Sequence, residues 1–268
     1  INALKMLAEE SSCTIITTFD GLMNPMPMPE KFIQAVKKIS VGDTQNIEEL
    51  TKHLVELGYE KNYQAETMGE FSVRGGILDI FPLTEDNPYR IEFWGDEVDS
   101  IRSFDAESQR SIENLEEISI YPACELVLTQ TDRQEGIKRI LKEAEKVSAK
   151  LRKEMKTEEA HRTKSAATQI AEEAGELGIS AGLDAYLSYF CEDRVSLLEY
   201  FNRDNTVIFV DELARSIERG MVTETEFSES MKQRLEKGYI LPGQMRELFS
   251  CKEILAKVEK MACVSLVA

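Results

Sequence analysis

Apolar residues recur along the chain with two different periods. In "NIEELTKHLVELGYEK", Ile47, Leu50, Leu54 and Leu57 return at spacings of three and four. That spacing predicts an amphipathic helix, with Gly58 placed to end it and His53 on its polar side. Between residues 69 and 122 the period falls to two. "EFSVRGG", "ILDIFPL", "YRIEFW", "EVDSIRSF" and "EEISIYPA" read as short strands, with "EDNP" and "GDE" as hairpin turns. A helix followed by antiparallel strands makes an α+β module.

The flanking segments carry weaker patterns. "SCTIITTFDGLM" places Ile15 and Ile16 in a β-branched run, which predicts a buried strand and then a short helix. Prolines at 25, 27 and 29 mark a linker, and residues 32–42 read as a strand leading to a turn. Residues 133–177 are rich in Lys, Glu and Ala. They predict one or two long charged helices with Ile137, Ile140, Leu141 and Ala144 on one face, a solvated arm. "LDAYLSYFCED" reads as helix, Val207 to Val210 as a buried strand ending in Asp211-Glu212, and the chain to Leu235 as charged helix. "GYILPG" reads as a loop. The first residues resemble the middle of a helix and the last ones a strand, as expected of a piece of something longer.

Composition narrows the class. The 268 residues hold 49 acidic and 32 basic side chains, a net charge of −17. Sequence-independent binding to DNA needs lysines and arginines that neutralise phosphates, so the chain as a whole is a poor candidate for gripping DNA alone. No run of about eighteen apolar residues predicts a transmembrane helix. The five cysteines are widely spaced and lack a CxxC, which argues against a zinc site or a disulfide scaffold and for reduced thiols in the cytosol.

Two constellations carry candidate chemistry. "TVIFVDE" has the form of a Walker B strand, in which the Asp helps hold magnesium and the Glu orients water; here these are Asp211 and Glu212. No G-x-x-x-x-G-K-[ST] loop accompanies it, so this chain is not expected to hydrolyse ATP. Many parallel strands also end in an acidic residue. No nucleophile motif is present.

The second constellation lies in "GEFSVRGGILDIFPLTEDNPYRIEFWGDEV". Strand alternation turns Tyr89, Ile91 and Phe93 toward the helix at 46–58, and Arg90, Glu92 and Trp94 to the opposite face. Upstream, Phe71 and Val73 point in while Ser72 and Arg74 point out. If the strands are neighbours, Arg74, Arg90 and Trp94 share one exposed face, and Arg and Trp dominate interface hot spots. The alternative is that both arginines pair with Glu92, Asp79 or Glu70 while Trp94 covers a hydrophobic edge. The Gly75-Gly76 pair reads as a kink or bulge that presents Arg74.

This stretch resembles the second domain of the bacterial transcription-repair coupling factors (Mfd) and, more distantly, the matching domain of the excision-repair protein UvrB. "FDAESQRSIENLEEISIYPA" extends the likeness, and it continues more weakly through "AYLSYFCEDRVSLLEYFNRDNTVIFVDE". The resemblance implies a mixed α/β and α+β fold: a partial, helicase-like (UvrB-like) α/β domain with an inserted α+β UvrA-binding domain. Residues 1–31 would end domain 1a, 32–122 would form domain 2, and 123–268 would be a partial domain 1b containing the charged helices. It implies UvrA as partner, with Arg74, Arg90 and Trp94 at the contacting positions, where the family often carries another aromatic such as Phe. It also implies no catalytic residue, metal or cofactor in this fragment. The parent would be an ATP-dependent DNA translocase, with ATP, magnesium, DNA and RNA polymerase bound by parts absent here. The aromatic hairpin with which UvrB grips damaged DNA has no counterpart in 133–177. A cytoplasmic protein without a membrane partner is expected. The rival reading is a UvrB-type ATP-dependent DNA-repair enzyme that uses Asp211 and Glu212 on magnesium and water.

Overall fold

The computed structural model describes residues 1–176 and 182–266. Position 177 of the expected charged helical stretch and residues 267–268 of the expected C-terminal strand lie outside the described residues. In chain order the first elements are α1 (Asn2–Ala8), α2 (Phe19–Met23), β1 (Met26–Pro27), α3 (Pro29–Gln34), β2 (Lys37–Ser40) and α4 (Ile47–Glu56). The chain forms two compact units, one of residues 1–11 and 30–129, the other of residues 12–29 and 130–268. The expected first segment, 1–31, is therefore divided between them.

In the first unit, β3 (Glu60–Lys61), β4 (Glu70–Arg74), β5 (Ile77–Ile80), β6 (Tyr89–Trp94), β7 (Glu97–Phe104) and β8 (Ser111–Leu115) form one sheet in that order. Each neighbouring pair is antiparallel except β3 and β4. The helix α4 covers one face. Asn46 caps it, its side chain accepting from the backbone N–H groups of Glu48 and Glu49, and Gly58 follows with a φ of 90°. Leu50, Leu54 and Leu57 meet Phe71, Leu78, Ile91, Val98 and Ile101 in a dry core. Side chains of this kind stabilise by roughly 1.5–3 kcal/mol each on full burial. β2 and β9 (Glu117–Ile120) pair separately and add Ile39, Ile118 and Ile120 to the same core. The strand expected over 32–42 is shorter than the pattern suggested. Pro29 opens α3 at a position where its missing N–H costs nothing, and extended backbone begins only at Lys37.

The second unit continues with α5 (Gln130–Lys153), α6 (Thr157–Glu176), α7 (Leu187–Phe190), β10 (Arg194–Val195), β11 (Val207–Asp211), α8 (Leu213–Glu236), α9 (Cys251–Val258) and β12 (Ala262–Leu266). The charged stretch is a helical hairpin rather than a solvated arm. Gly136, Ile140, Ala144, Ser148 and Leu151 of α5 are buried, as are Ala160, Thr163, Ala167, Ile170 and Ala174 of α6. Small residues bring the helices close, and Arg133 donates from the start of α5 to the carbonyl of Ala174 near the end of α6, 3.1 Å away. Leu141 falls off this stripe and is exposed.

Three further expectations are corrected. Residues 11–18 form no regular element and Ile16 is 94% exposed, because no strand pairs with this run. The proline segment is not a free linker: β1 pairs antiparallel with β10. The strand at 207–210 is also not buried. Among the described residues β11 pairs only with β12, in parallel, and Val207 and Phe209 face outward while Ile208 packs on Met23, Leu198 and Ile254.

Candidate protein-docking face

Sheet register places the candidate residues. One row across the sheet reads Ser72, Asp79, Arg90, Arg102, and the next row on the same face reads Arg74, Ile77, Glu92, Ser100. Trp94 ends β6 on this side, paired with Glu97. The face opposite the α4 core therefore collects Arg74, Arg90 and Arg102 with the carboxylates of Asp79, Glu92 and Glu97. Strand alternation correctly assigned Arg74, Arg90 and Trp94 to one face.

Their depths differ sharply. Trp94 is 83% exposed and covers no hydrophobic edge. The Arg74 side chain is 39% exposed and that of Arg90 only 14%. Both arginines converge on Asp79, whose carboxylate is almost completely buried. Arg90 binds it with two bonds, Nε to Oδ1 at 2.6 Å and Nη2 to Oδ2 at 2.8 Å. Arg74 donates Nη2 to Oδ2 at 2.8 Å. The paired hydrogen bonds to Asp79 hold the Arg90 guanidinium above its ordinary pKa. The local pairing weighed as the alternative to docking is thus present for both arginines, and the expectation of an exposed Arg90 is corrected.

The surroundings of Arg90 were not legible in the sequence. Its guanidinium carbon lies 4.3 Å from the centre of the Phe104 ring, and its Nη2 also donates to Gln109 Oε1 at 2.9 Å. Gln109 holds a φ of 60°, unusual for a residue with a side chain. Its backbone N–H donates to the Asp105 carbonyl and its Nε2 to the Ala106 carbonyl, each at 2.8 Å. Beside this cluster Arg102 pairs with Glu92, which also accepts from Ser100 Oγ at 3.0 Å. The hydrogen bond from Arg102 holds the Glu92 carboxyl below its usual range.

Both hairpin ends beside the face are tight. Arg74 pairs with Ile77 across Gly75-Gly76, and Trp94 with Glu97 across Gly95-Asp96. Gly75 and Gly95 have φ of 61° and 64°, the glycine-first pattern of two-residue hairpin turns. A Cβ on Gly76 would stand 2.9 Å from the Phe93 carbonyl oxygen. The glycine pair is a hairpin turn and not a bulge; the register shift lies between Glu92 and Phe93.

Asp211 and Glu212 stand in the other unit. Asp211 ends β11 opposite Leu266, and Glu212 has a φ of 47° before α8 with its carboxylate 2.9 Å from Arg215. Among the described residues no group of three His, Cys, Asp or Glu side chains could hold a metal ion, and no helix is long and apolar enough to cross a membrane.

Residues 38–126 match the family model of the UvrB interaction domain. That segment contains the whole six-stranded sheet, α4 and the face just described.

Arg74, Arg90, Trp94 and Asp79 all lie inside the matched segment, whereas Asp211 and Glu212 lie outside it. Similarity runs well beyond its limits. The chain is 34% identical to the transcription-repair-coupling factor of Bacillus subtilis over 97% of its own length and 22% of that protein. It is 33% identical to UvrABC system protein B of Fervidobacterium nodosum over 88% of the chain and 37% of that relative. With UvrABC system protein B of Thermosipho africanus the identity is 31%, over 79% of the chain and 32% of the relative. The chain thus spans well under half the length of these relatives. Its resemblance to the coupling factor covers 97% of the chain and so extends beyond the matched segment on both sides.

Proposed function

We propose that the interaction-domain face bearing Arg74, Arg90 and Trp94 docks UvrA, and that the parent protein uses it to bring UvrA to stalled RNA polymerase in transcription-coupled nucleotide excision repair. The observation that carries this reading is an exposed tryptophan on the same sheet face as a partly exposed arginine, the face opposite α4. Arg74 offers charge-assisted hydrogen bonds to a carboxylate of the partner. Trp94 offers apolar area that a partner would remove from water. Within this reading residues 1–31, 32–122 and 123–268 correspond to domains 1a, 2 and 1b. ATP, magnesium, DNA and RNA polymerase are assigned to other parts of a cytoplasmic, ATP-hydrolysing parent.

Calorimetry with purified UvrA tests the proposal. The chain should bind, and Arg74→Ala and Arg90→Ala, folded as judged by circular dichroism, should bind substantially less. Binding by both variants at the wild-type level would refute the assignment of the face. A second reading, a UvrB-type ATP-dependent enzyme, draws on the relatives named UvrABC system protein B and on the acidic end of β11. Tight magnesium-dependent binding of ATP by this chain would favour it over the first.

A further inference from the structure

We infer that Asp79 is the positioning residue of the docking face: one buried carboxylate on a middle strand aims the arginines of both flanking strands. The inference rests on the proposed docking of UvrA and goes beyond it by separating residues that touch the partner from residues that set their direction.

The geometry assigns the roles. β5 lies between β4 and β6, so a single side chain on it can reach both neighbours. Asp79 sits directly across from Arg90 and one row from Arg74 on the same face. Its Oδ2 accepts from both guanidiniums at 2.8 Å, while Oδ1 accepts from Arg90 alone at 2.6 Å. Burial makes this carboxylate costly unless it is paired, and the pairing in turn fixes the two cations.

The two arginines are held to different degrees. Arg90 is gripped by both Asp79 oxygens, by Gln109 Oε1 and by the Phe104 ring, which leaves mainly its Nη1 edge for a partner. The positive φ of Gln109 is a strained conformation held by its bonds to Asp105 and Ala106, and it keeps the third grip in place. Arg74 spends one Nη2 hydrogen bond on Asp79 and stands more exposed, so its Nε and Nη1 point to use by the partner. Arg74 and Trp94 are then the touching residues. Asp79 orients Arg74 and Arg90 in advance, with Gln109 and Phe104 behind Arg90, and an oriented side chain loses less freedom on binding.

A double-mutant cycle on the full chain, read as UvrA affinity by calorimetry, tests this. Asp79→Asn removes the charge while keeping the shape, and should weaken binding by about tenfold, within the range of coupling between residues in contact. In an Arg74→Ala/Arg90→Ala background the same Asp79→Asn change should alter affinity by less than about twofold, because no guanidinium remains to be aimed. A purely structural role for Asp79 predicts an equal loss in both backgrounds, and that result would overturn the inference. So would wild-type affinity in Asp79→Asn. If Asp79→Asn fails to fold, Asp79→Glu keeps the charge but displaces it by one methylene. It should show the same pattern: weakened binding in the wild-type background and little change in the double-alanine background, with equal losses again overturning the inference. Absence of UvrA binding by the wild-type chain would instead defeat the docking proposal itself, so the two failures are distinguishable.

Discussion

Arg90 grips both oxygens of Asp79, from adjacent strands and at directly opposed positions of the sheet. This fork-to-fork pairing ties β5 to β6 on the face opposite α4. Arg90→Ala leaves Asp79 buried with only Arg74 as a cationic partner. The expected loss of stability is about 2–4 kcal/mol, somewhat less than the roughly 3–5 kcal/mol for breaking a fully buried pair, because Arg74 stays. Urea unfolding measures it. A loss below about 0.5 kcal/mol, the level of an ordinary surface substitution, would show that the pair does not hold the sheet.

Trp94 should behave in the opposite way. Because it is 83% exposed, Trp94→Ala should shift stability by no more than about 0.5 kcal/mol. Its loss should weaken UvrA by about 2 kcal/mol or more if it is an interface hot spot. Trp94→Phe should restore most of the affinity, since a buried aromatic body is what the site uses. Thermal melts and calorimetry on the same samples separate the two effects.

Acid should weaken the Glu92–Arg102 pair. The hydrogen bond from Arg102 sets the folded carboxyl below its ordinary value of 4.5. A depressed carboxylate contributes stability above the unfolded pKa, and that contribution is lost as pH falls through the folded one. The stability gap between wild type and Glu92→Gln should therefore be steady near neutrality and close on acidification below the ordinary value. A gap unchanged down to acid unfolding would mean that the ionised pair contributes nothing.

Close packing of the helical hairpin gives a test in the second unit. A Cβ on Gly136 would fall 2.1 Å from Cδ1 of the Phe190 ring. Gly136→Ala should cost about 1–3 kcal/mol through overpacking, despite the better helix propensity of alanine. Adding Phe190→Leu should recover part of the loss. If Gly136→Ala proves stabilising, Phe190 does not press on α5 in solution.

The core beneath α4 gives the largest expected loss. Leu54 is fully buried against the inner sheet face, and Leu54→Ala should cost about 2–5 kcal/mol. A denaturation midpoint close to wild type would mean that α4 is not docked as described.

The chain's local patterns determined a good deal by themselves. A 3.6-residue period marked α4, and a period of two put Ile91 inside and Arg74, Arg90 and Trp94 on the other side. Those readings succeed because side-chain direction follows from backbone geometry within a few residues. Tertiary structure decided what the arginines do there. Whether Asp79, Glu92 or Glu70 receives them depends on the register between strands, and whether Arg90 is open or enclosed depends on Phe104 and Gln109 folding back over it. The same limit explains the misread apolar runs. Ile16 and Phe209 have strand-like neighbours in sequence, but burial requires a second surface, and only the assembled chain determines where that surface lies. The stripe of Ala144, Ala160 and Ala167 carries little hydrophobic signal for its length, yet small residues let two charged helices pack closely. Local geometry therefore fixed which way side chains point, and long-range packing fixed what they meet.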